Sequence, residues 1–510
     1  MLALVRRAAS VALVHCRRHV VARFAFICGA LVLAGCASRP INPRLDHVDL
    51  AKGYRFDTRQ SHFMDKDDLV ILAFSGGGTR AAAFSYGVLE ALRNIEVQGP
   101  KGQRFRLLDE VNVITGVSGG SFTALAYGLY GDKLFDSYEQ RFLKRDVEGE
   151  LLSRALNPMH WSALWSKTYG RSEMAAQLYD DILFNGATFA DLNRGSGPLI
   201  IATATDITTG SRLAFLQSTF DVLCSDLNQV PLSRAAAASS AVPLVLSPVT
   251  LNNYGGTCNF RMPPWMSYFA NDKTSIRPAE RALRHLKDLE SYEDGVERPY
   301  IHLVDGGLAD NLGMRGVLEA LEVLEALRAA GVKTPLDSAR RIVVFVVNSL
   351  SSPKTDWDRS ERPPGDLALL LKATGVPIDH FSFEAIELLK DTMTRWRDMQ
   401  EIRHFPEVAN SHDPALLRLT DVPNAEIYAI DVSFAELEDK AEREYLNNLA
   451  TSFALPSEAV DRLRAAAGTI VLEAPELKRL LHDSGARIVS EPKSASASAP
   501  AQAAPAVVTP

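Results

Sequence analysis

The fold is decided by residues 111–130, VNVITGVSGGSFTALAYGLY. The first residues form an apolar, β-branched run that is typical of a buried strand, and a glycine-rich turn follows it. Apolar residues then recur at helical spacing. This order of strand, sharp turn and helix is the context that the motif G-x-S-x-G requires, because the turn exposes the serine hydroxyl. Ser118 is therefore a candidate nucleophile, and Gly116, Gly119 and Gly120 are the glycines that permit the turn.

The same unit of strand and helix recurs along the chain. Because strands alternate with helices, the sequence predicts an α/β fold, a three-layer α/β/α sandwich with a mostly parallel central sheet. Apolar runs predict strands at 69–74, 111–114, 199–202, 300–304, 342–347 and 427–430. The predicted organisation is a signal segment at 1–35, a tether at 36–66, a main α/β domain at 67–350 with an insertion at about 259–299, a C-terminal helical extension at 351–487, and a disordered Ala/Pro/Ser tail at 488–510.

Charge and composition narrow the classes of function. The chain has 510 residues, of which 46% are hydrophobic and 23% charged, as in ordinary globular proteins. Its formal net charge is −7, and residues 1–35 contribute five arginines and no acid or lysine. Without those five positive charges the net charge is −12, which argues against a nucleic-acid partner. We find no cofactor motif and no metal-ligand cluster in the sequence, so we expect neither a cofactor nor a metal.

The N-terminus has the pattern of an export signal. A basic stretch ends at Arg23, and the apolar run at 24–35 is too short to cross a bilayer. The sequence LAGC at 33–36 resembles the bacterial lipoprotein signal, which implies that Cys36 is lipidated. Ala37 then implies sorting to the outer membrane, facing the periplasm. The alternatives are an uncleaved signal anchor or a chance match.

The cysteine count bears on a disulfide. Of five cysteines, Cys16 and Cys28 lie in the signal segment and Cys36 is the lipidation candidate. Cys224 and Cys258 remain, an even pair in an oxidising compartment, which favours a disulfide between them. The alternative is two separate buried thiols.

Two further glycine clusters follow predicted strands. In SGGGTR, residues 75–80, bare backbone amides can hold an anion, either a bound phosphate or a transition-state oxyanion. The alternative is a turn that only packs helix on strand. Asp305 comes directly after a predicted strand and precedes Gly306 and Gly307, so its carboxylate can approach a serine at the same edge of the sheet. The alternative for Asp305 is a helix cap.

Together and in this order, the three clusters resemble the patatin-like phospholipase family over residues 69–315. The blocks ATATDITTG at 202–210 and AAASSAVP at 236–243 agree with it. Ser75 and Ala81 depart from the family pattern, which commonly has Asp and Gly there. The resemblance implies a Ser–Asp dyad of Ser118 and Asp305, an oxyanion hole formed by Gly76, Gly77, Gly78 and Gly119, and Arg80 as a residue that orients the glycine loop or meets a lipid phosphate. The alternative for Arg80 is a surface arginine.

Histidine supplies the alternative catalytic arrangement. His380 follows Ser118 and Asp305 in the order of an α/β-hydrolase triad, whereas His302 is expected to face away from Asp305. A separate feature is the aromatic-rich stretch at 159–169, with Met159, Trp161, Leu164, Trp165 and Tyr169. We expect it to be core, with a lipid contact or a lid as the alternative.

The predicted function is hydrolysis of acyl esters in glycerolipids, as a phospholipase A or lysophospholipase with a membrane lipid as substrate. Two alternatives stay open. One is a non-catalytic lipid-binding or envelope-assembly lipoprotein, and the other is an esterase or thioesterase for small substrates.

Overall fold

A computed structural model describes residues 38–56, 58–59, 68–166, 168–194, 197–262, 279–329, 331–332, 337, 339–355, 357–419 and 422–490. The predicted signal segment, the lipidation candidate Cys36 and the tail from residue 491 lie outside the described residues. The strands are β1 Asp68–Phe74, β2 Glu96–Gln98, β3 Arg104–Arg106, β4 Val111–Val117, β5 Leu199–Asp206, β6 Ser211–Ala214, β7 Val249–Asn252, β8 Tyr300–Val304, β9 Arg341–Asn348, β10 Glu426–Ser433 and β11 Arg487–Ser490.

Helices cover both faces of the sheet. The α-helices are α1 Gly78–Asn94, α2 Gly119–Tyr130, α3 Val147–Leu156, α4 Pro158–Leu164, α5 Arg171–Tyr179, α6 Phe189–Arg194, α7 Gln217–Val222, α8 Leu232–Ser239, α9 Glu280–Glu290, α10 Gly307–Asp310, α11 Arg315–Ala329, α12 Asp366–Arg403, α13 Pro406–Ala409, α14 Pro414–Leu419, α15 Lys440–Asn447, α16 Ser457–Glu473 and α17 Pro475–Asp483. Short 3₁₀ segments lie at Leu107–Glu110, Gly131–Asp136, Leu227–Gln229, Trp357–Arg359 and Phe434–Glu436, and π-helical turns at Glu139–Leu143 and Asp180–Phe184.

The central sheet has the order β10-β9-β1-β4-β5-β8-β7, and β6 also pairs with β5. The pairs from β10 to β5 are parallel, which confirms the mostly parallel sheet. The structure differs at β8, which is antiparallel to β5 and overlaps it only where Thr205 pairs with Val304 and Asp206 with Leu303. Because β5 and β8 meet at their carboxyl ends, Asp305, which follows β8, still lies near the carboxyl end of β4.

The two faces of the sheet are separated by the alternation of side chains along β4. A Cβ atom at Gly116 would lie 3.0 Å from the Ala124 side chain of α2, whereas Thr115 lies beside Gly313 on the opposite face. An additional close approach joins α1 to α16, where a Cβ atom at Gly87 would lie 2.7 Å from the Arg464 backbone. These packings confirm the three-layer α/β/α sandwich.

Residues 38–56 pack against the domain, where the sequence predicted a tether. Tyr54 is fully buried, and its hydroxyl accepts a hydrogen bond of 2.7 Å from the Ile200 amide in β5. Arg55 forms a buried ion pair of 2.8 Å with Asp221. A segment with such contacts is part of the folded core. The difference arises because sequence polarity does not reveal partners that lie far away along the chain.

The C-terminal extension also supplies strands. β10 is the edge strand of the main sheet, and β11 pairs antiparallel with β2. Residues 488–490 of the predicted tail therefore belong to a strand. Long α12 contains Pro377 and lies within the predicted helical region. In the described part of the chain, no helix is both long and apolar enough to cross a membrane.

The expectation that the aromatic-rich stretch is core is wrong for most of it. Tyr169 is buried, but Met159 is 85%, Trp165 73% and Trp161 45% exposed. Helical spacing of apolar residues indicates a shared face, and it does not indicate whether another element covers that face.

A disulfide joins Cys224, after α7, to Cys258, just before the predicted insertion, and confirms the predicted pairing. We predict that the double change Cys224→Ser and Cys258→Ser lowers the free energy of unfolding by about 4 kcal/mol, because cross-linking two residues at a sequence separation of 34 restricts the unfolded chain. Thermal unfolding should shift to lower temperature by several degrees. The control is dithiothreitol, which should lower the unfolding midpoint of the wild type and leave that of the double variant unchanged. Equal midpoints for wild type and double variant would contradict the prediction.

Candidate active site

Ser118 lies on the sharp turn between β4 and α2. Its backbone has φ 47° and ψ −120°, a conformation that L-residues rarely adopt and that costs about 1–3 kcal/mol. The strain directs the hydroxyl away from the strand, toward the edge of the sheet. The amino end of α2 begins at the next residue, so its unpaired amides and positive dipole end lie beside the hydroxyl. This is the geometry that the motif predicts for a nucleophile.

Asp305 follows β8 and meets Ser118 across the end of β5. The Ser118 hydroxyl donates a hydrogen bond of 2.7 Å to Asp305 Oδ2. The other carboxylate oxygen, Oδ1, accepts a hydrogen bond of 2.8 Å from the Gly307 amide. Both side chains are largely buried, with 5% and 8% of their surface exposed. The structure thus brings together the two residues that the sequence proposed as nucleophile and base.

Burial sets the protonation behaviour of Asp305. Desolvation raises the pKa of its carboxyl to about 6, while the hydrogen bonds from Ser118 and the Gly307 amide oppose the increase. A carboxylate with a pKa near 6 is ionised at neutral pH, yet it holds a proton more readily than an ordinary aspartate. Asp305 can therefore accept a proton from a hydroxyl and return it to a leaving group.

The end of α8 fixes both members of the pair. The Ser118 amide donates a hydrogen bond of 2.8 Å to Ser239 Oγ. On the other side, the Asp305 amide donates to the Ala241 carbonyl at 3.0 Å and the Gly306 amide donates to the Ser239 carbonyl at 2.9 Å. The block AAASSAVP carried the family resemblance, but its sequence did not identify Ser239 as a partner of Ser118.

The glycine loop at 76–78 contacts the serine turn, although its three amides differ. The Gly76 amide donates a hydrogen bond of 2.9 Å to the Asn311 carbonyl. This corrects the predicted oxyanion hole, because the Gly76 N–H already donates to Asn311 and is not free for an oxyanion. Gly77 has φ 138°, a backbone conformation that residues with a side chain rarely adopt. Gly78 and Gly119 are the first residues of α1 and α2, whose first amides have no partner within the helix.

Close contact between the two loops explains the glycines around Ser118. A Cβ atom at Gly119 would overlap the Gly78 carbonyl oxygen, and one at Gly120 would lie 2.6 Å from the Ser75 carbonyl oxygen. The backbones of the two turns can approach this closely only without side chains. The Gly78 and Gly119 peptides consequently lie next to each other beside Ser118.

Gly306 and Gly307 serve a similar purpose on the acid side. A Cβ atom at Gly306 would lie 2.5 Å from the Thr203 carbonyl oxygen in β5, and one at Gly307 would lie 2.9 Å from Asn311 Oδ1. Asn311 Oδ1 would also lie 2.5 Å from a Cβ atom at Gly76. Asn311 therefore lies between residues 305–307, which we call the acid loop, and the glycine loop, a position that the sequence did not predict.

Arg80 stabilises the glycine loop from inside. It is only 2% exposed, so the surface alternative is wrong. Its Nε donates to the Ser349 carbonyl at 2.7 Å and its Nη1 to the Leu449 carbonyl at 2.8 Å. Burial lowers the pKa of the guanidinium to about 10, which leaves it charged at neutral pH. Ser75 Oγ lies 3.1 Å from Ser349 Oγ, so the residue that departs from the family pattern contacts the same segment.

The C-terminal extension contributes to the site in a way that the sequence did not predict. The Ser452 carbonyl accepts a hydrogen bond of 2.8 Å from the Thr79 amide and occupies the space that a side chain at Gly78 would need. Ser452 Oγ donates a hydrogen bond of 2.6 Å to Glu148 at the start of α3. The segment between α15 and α16 thus covers the glycine loop and connects it to α3.

Neither candidate histidine joins the pair. The His302 side chain is exposed and lies 3.0 Å from Thr250 Oγ1, and His380 is exposed on α12. Within the described residues, no histidine forms a hydrogen bond with Ser118 or Asp305.

A cavity of about 580 Å³ lies on the face of the sheet that Thr115 occupies. Its walls come mainly from the sheet, α9, α11 and residues 50–56, and neither Ser118 nor Asp305 lines it. The cavity is therefore separate from the Ser118–Asp305 pair, which lies at the edge of the sheet.

Comparison with known proteins gives one family match. The model of the patatin-like phospholipase family matches residues 72–318. Similar solved structures include human GIVD cytosolic phospholipase A2, at 13% identity and a TM-score of 0.41 over 88% of this chain and 66% of that one. Its complex with methyl gamma-linolenyl fluorophosphonate gives 13% identity and a TM-score of 0.40 over 84% and 63%. VipD from Legionella pneumophila gives 12% identity and a TM-score of 0.23 over 86% and 72%.

This chain thus spans slightly less than two thirds of the length of the human enzyme. The curated proteins give no match. The family match covers β4, the glycine loop and the acid loop, where the three sequence motifs lie. Through residues 72–318, this chain therefore carries a patatin-like phospholipase domain.

Proposed function

We propose that this protein is a serine acyl hydrolase that cleaves acyl esters of glycerolipids through a dyad of Ser118 and Asp305. The observation that supports it most directly is the hydrogen bond of 2.7 Å between the Ser118 hydroxyl and Asp305 Oδ2. The family match supports a lipid ester as the substrate class. Phospholipids and lysophospholipids are the substrates that we propose.

The proposed reaction has two steps, transfer of the acyl group to Ser118 and then to water, and Asp305 carries the proton in each. Ser118 Oγ attacks the ester carbonyl carbon while its proton passes to Asp305 Oδ2, and the carbonyl oxygen becomes an oxyanion. The amides of Gly77, Gly78 and Gly119 are the proposed donors to that oxyanion. Collapse of the tetrahedral intermediate breaks the ester bond, and the leaving alcohol takes the proton from Asp305. Water then attacks the acyl-enzyme, gives its proton to Asp305 and releases the fatty acid, and Ser118 recovers its proton.

The dyad is tested by substitution in the full chain. We predict that Ser118→Ala and Asp305→Asn each reduce the rate of fatty acid release from phospholipid vesicles by about a thousandfold or more, because either change removes the activated nucleophile. His380→Ala and His302→Ala are the controls and should retain the wild-type rate within about twofold. Activity that survives Asp305→Asn and is lost in His380→Ala would replace Asp305 by His380 as the base. Wild-type activity only on short soluble esters would favour the esterase alternative.

The pH dependence reports on the base. Because Asp305 must be ionised to accept the proton, and burial raises its pKa to about 6, kcat/KM should rise through pH 6 and level off above pH 7. The measurement is a pH profile from about 4.5 to 8.5 with a soluble ester. An inflection near pH 4, as for an exposed aspartate, would contradict the role of a buried base.

The same pKa shift makes a prediction about stability. The folded state binds the Asp305 proton more tightly than the unfolded chain, so the contribution of this group to stability is present below about pH 4 and is lost as pH rises through 6. Asp305→Asn should therefore unfold at the same temperature as the wild type or higher at pH 8. This result would show that lost activity is not lost folding.

We also propose that Cys36 is lipidated and anchors the protein to the outer membrane, facing the periplasm. The support is the sequence LAGC after an apolar run, within a segment outside the described residues. Cys36→Ser should move the full chain out of the lipidated population, seen as loss of incorporated radiolabelled fatty acid. Cys28→Ser is the matched control, because that cysteine lies in the segment to be removed. Equal labelling of the wild type and Cys36→Ser would contradict the assignment.

A further inference from the structure

An exposed apolar surface lies on α3, on α4 and on the loop after α8. We call it the rim surface. Its side chains are between 45% and 85% exposed and belong to segments that lie near one another. Soluble monomers rarely expose large contiguous apolar patches. Two of its members are tryptophans, whose rings have an apolar body and a polar N–H. The rim surface consists of Leu156, Met159, Trp161, Trp165, Leu244 and Val245.

One part of the rim surface is attached to the acid of the dyad. Leu244 and Val245 follow Ala241 closely, and the Ala241 carbonyl accepts the hydrogen bond of 3.0 Å from the Asp305 amide. Farther along the same loop, Ser247 Oγ accepts a hydrogen bond of 3.1 Å from the Ser172 amide at the start of α5. The segment that follows Trp165 is therefore held against this loop.

Helix α3, which ends at the rim residue Leu156, is connected to the glycine loop at its other end. Glu148, at the start of α3, accepts hydrogen bonds from Ser452 Oγ at 2.6 Å and from the Phe453 amide at 3.2 Å. The Ser452 carbonyl in turn accepts the bond from the Thr79 amide. The segments that carry the rim surface are thus connected to the acid of the dyad and to the glycine loop.

The N-terminal end of the described chain lies beside β7 and β8, where Arg39 is 5.6 Å from the centroid of the Tyr300 ring. Asn42 Nδ2 donates to the Asn252 carbonyl at 2.9 Å, and Arg39 Nη1 donates to the Thr250 carbonyl at 3.0 Å. Toward its N-terminus the described chain thus stays beside β7. Cys36 is three residues before Arg39, and a chain of three residues spans at most about 11 Å. The proposed lipid anchor is therefore joined to the domain through the segment that packs on β7.

We propose that the rim surface docks on a phospholipid bilayer and thereby turns the dyad toward the lipid. This inference rests on the proposed function and adds the surface through which the substrate is approached. Tryptophan is the side chain preferred at the boundary between headgroups and acyl chains. The chain is acidic, with a net charge of −7, so apolar contact and not attraction to anionic lipid supplies the binding.

The test uses the full, lipidated chain in phosphatidylcholine vesicles and the double variant Met159→Asp and Val245→Asp. Both side chains are exposed, and both tryptophans remain as reporters. Phe405→Asp is the matched control. Phe405 is 55% exposed. It lies five residues after Gln400, whose side chain donates a hydrogen bond to the Pro423 carbonyl, just before β10. This is the amino end of the parallel strands, opposite the carboxyl end that carries Ser118.

Two readouts separate docking from chemistry. In a Ser118→Ala background, brominated phosphatidylcholine should quench the tryptophan emission of the chain with an unchanged rim surface, and the double variant should lose most of this quenching. With Ser118 intact, the double variant should hydrolyse vesicle phospholipid at about one tenth of the wild-type rate or below, because two aspartates oppose entry into the interface. It should hydrolyse a soluble short-chain ester within about twofold of the wild-type rate. Phe405→Asp should match the wild type in every assay.

Distinct results overturn the two proposals. Equal quenching in the presence and absence of the two aspartates, or equal losses in Phe405→Asp, would reject the rim surface as the docking site. If the rim surface instead pairs two copies of the chain, light scattering in detergent should show a dimer that the double variant dissociates, with no quenching by brominated lipid. That result would also overturn docking. Absence of hydrolysis of both substrates by the wild type, with quenching intact, would reject the proposed chemistry and leave the docking surface standing.

Discussion

The structure of the candidate site depends on a buried carboxylate that is held against a strained serine. Both parts are unfavourable by themselves, because Asp305 is desolvated and the Ser118 backbone has φ 47°. They persist because the end of α8 holds both of them. Ser239 and Ala241 accept the hydrogen bonds that fix the Ser118, Asp305 and Gly306 amides. A short Ala/Ser-rich helix therefore sets the distance between nucleophile and base.

The sequence could predict the local parts of this site. The serine turn, the glycine loop and the acid loop each depend on glycines at close backbone contacts, and such glycines are visible in a short motif. The antiparallel direction of β8 could not be predicted, because an apolar run does not encode strand direction. The partners Ser239 and Asn311, and the use of the Gly76 amide by Asn311, depend on contacts between distant segments. The parallel sheet was predicted because alternation of strands and helices is a property of the whole chain.

The same reasoning applies to both ends of the domain. The tether and the extension were predicted as additions, since neither carries a motif of the site. In the structure, Tyr54 is buried against β5, β10 completes the sheet, and Ser452 contacts the glycine loop. Arg80 connects the glycine loop to these segments, because its guanidinium donates hydrogen bonds to carbonyls in the segment after β9 and in the extension. The glycine loop is thus held from behind by segments that lie outside the matched residues 72–318.

The proposed lipid anchor and the proposed docking surface would act together. A lipid anchor at Cys36 would already hold the protein at the membrane, so the docking step would become intramolecular. At such an effective concentration a few apolar side chains suffice for docking, and a larger apolar surface would favour aggregation. The limited size of the rim surface, with Met159 and Trp165 as its most exposed members, fits that requirement. In this arrangement the anchor would bring the protein to the lipid, and the rim surface would decide which edge of the sheet faces it.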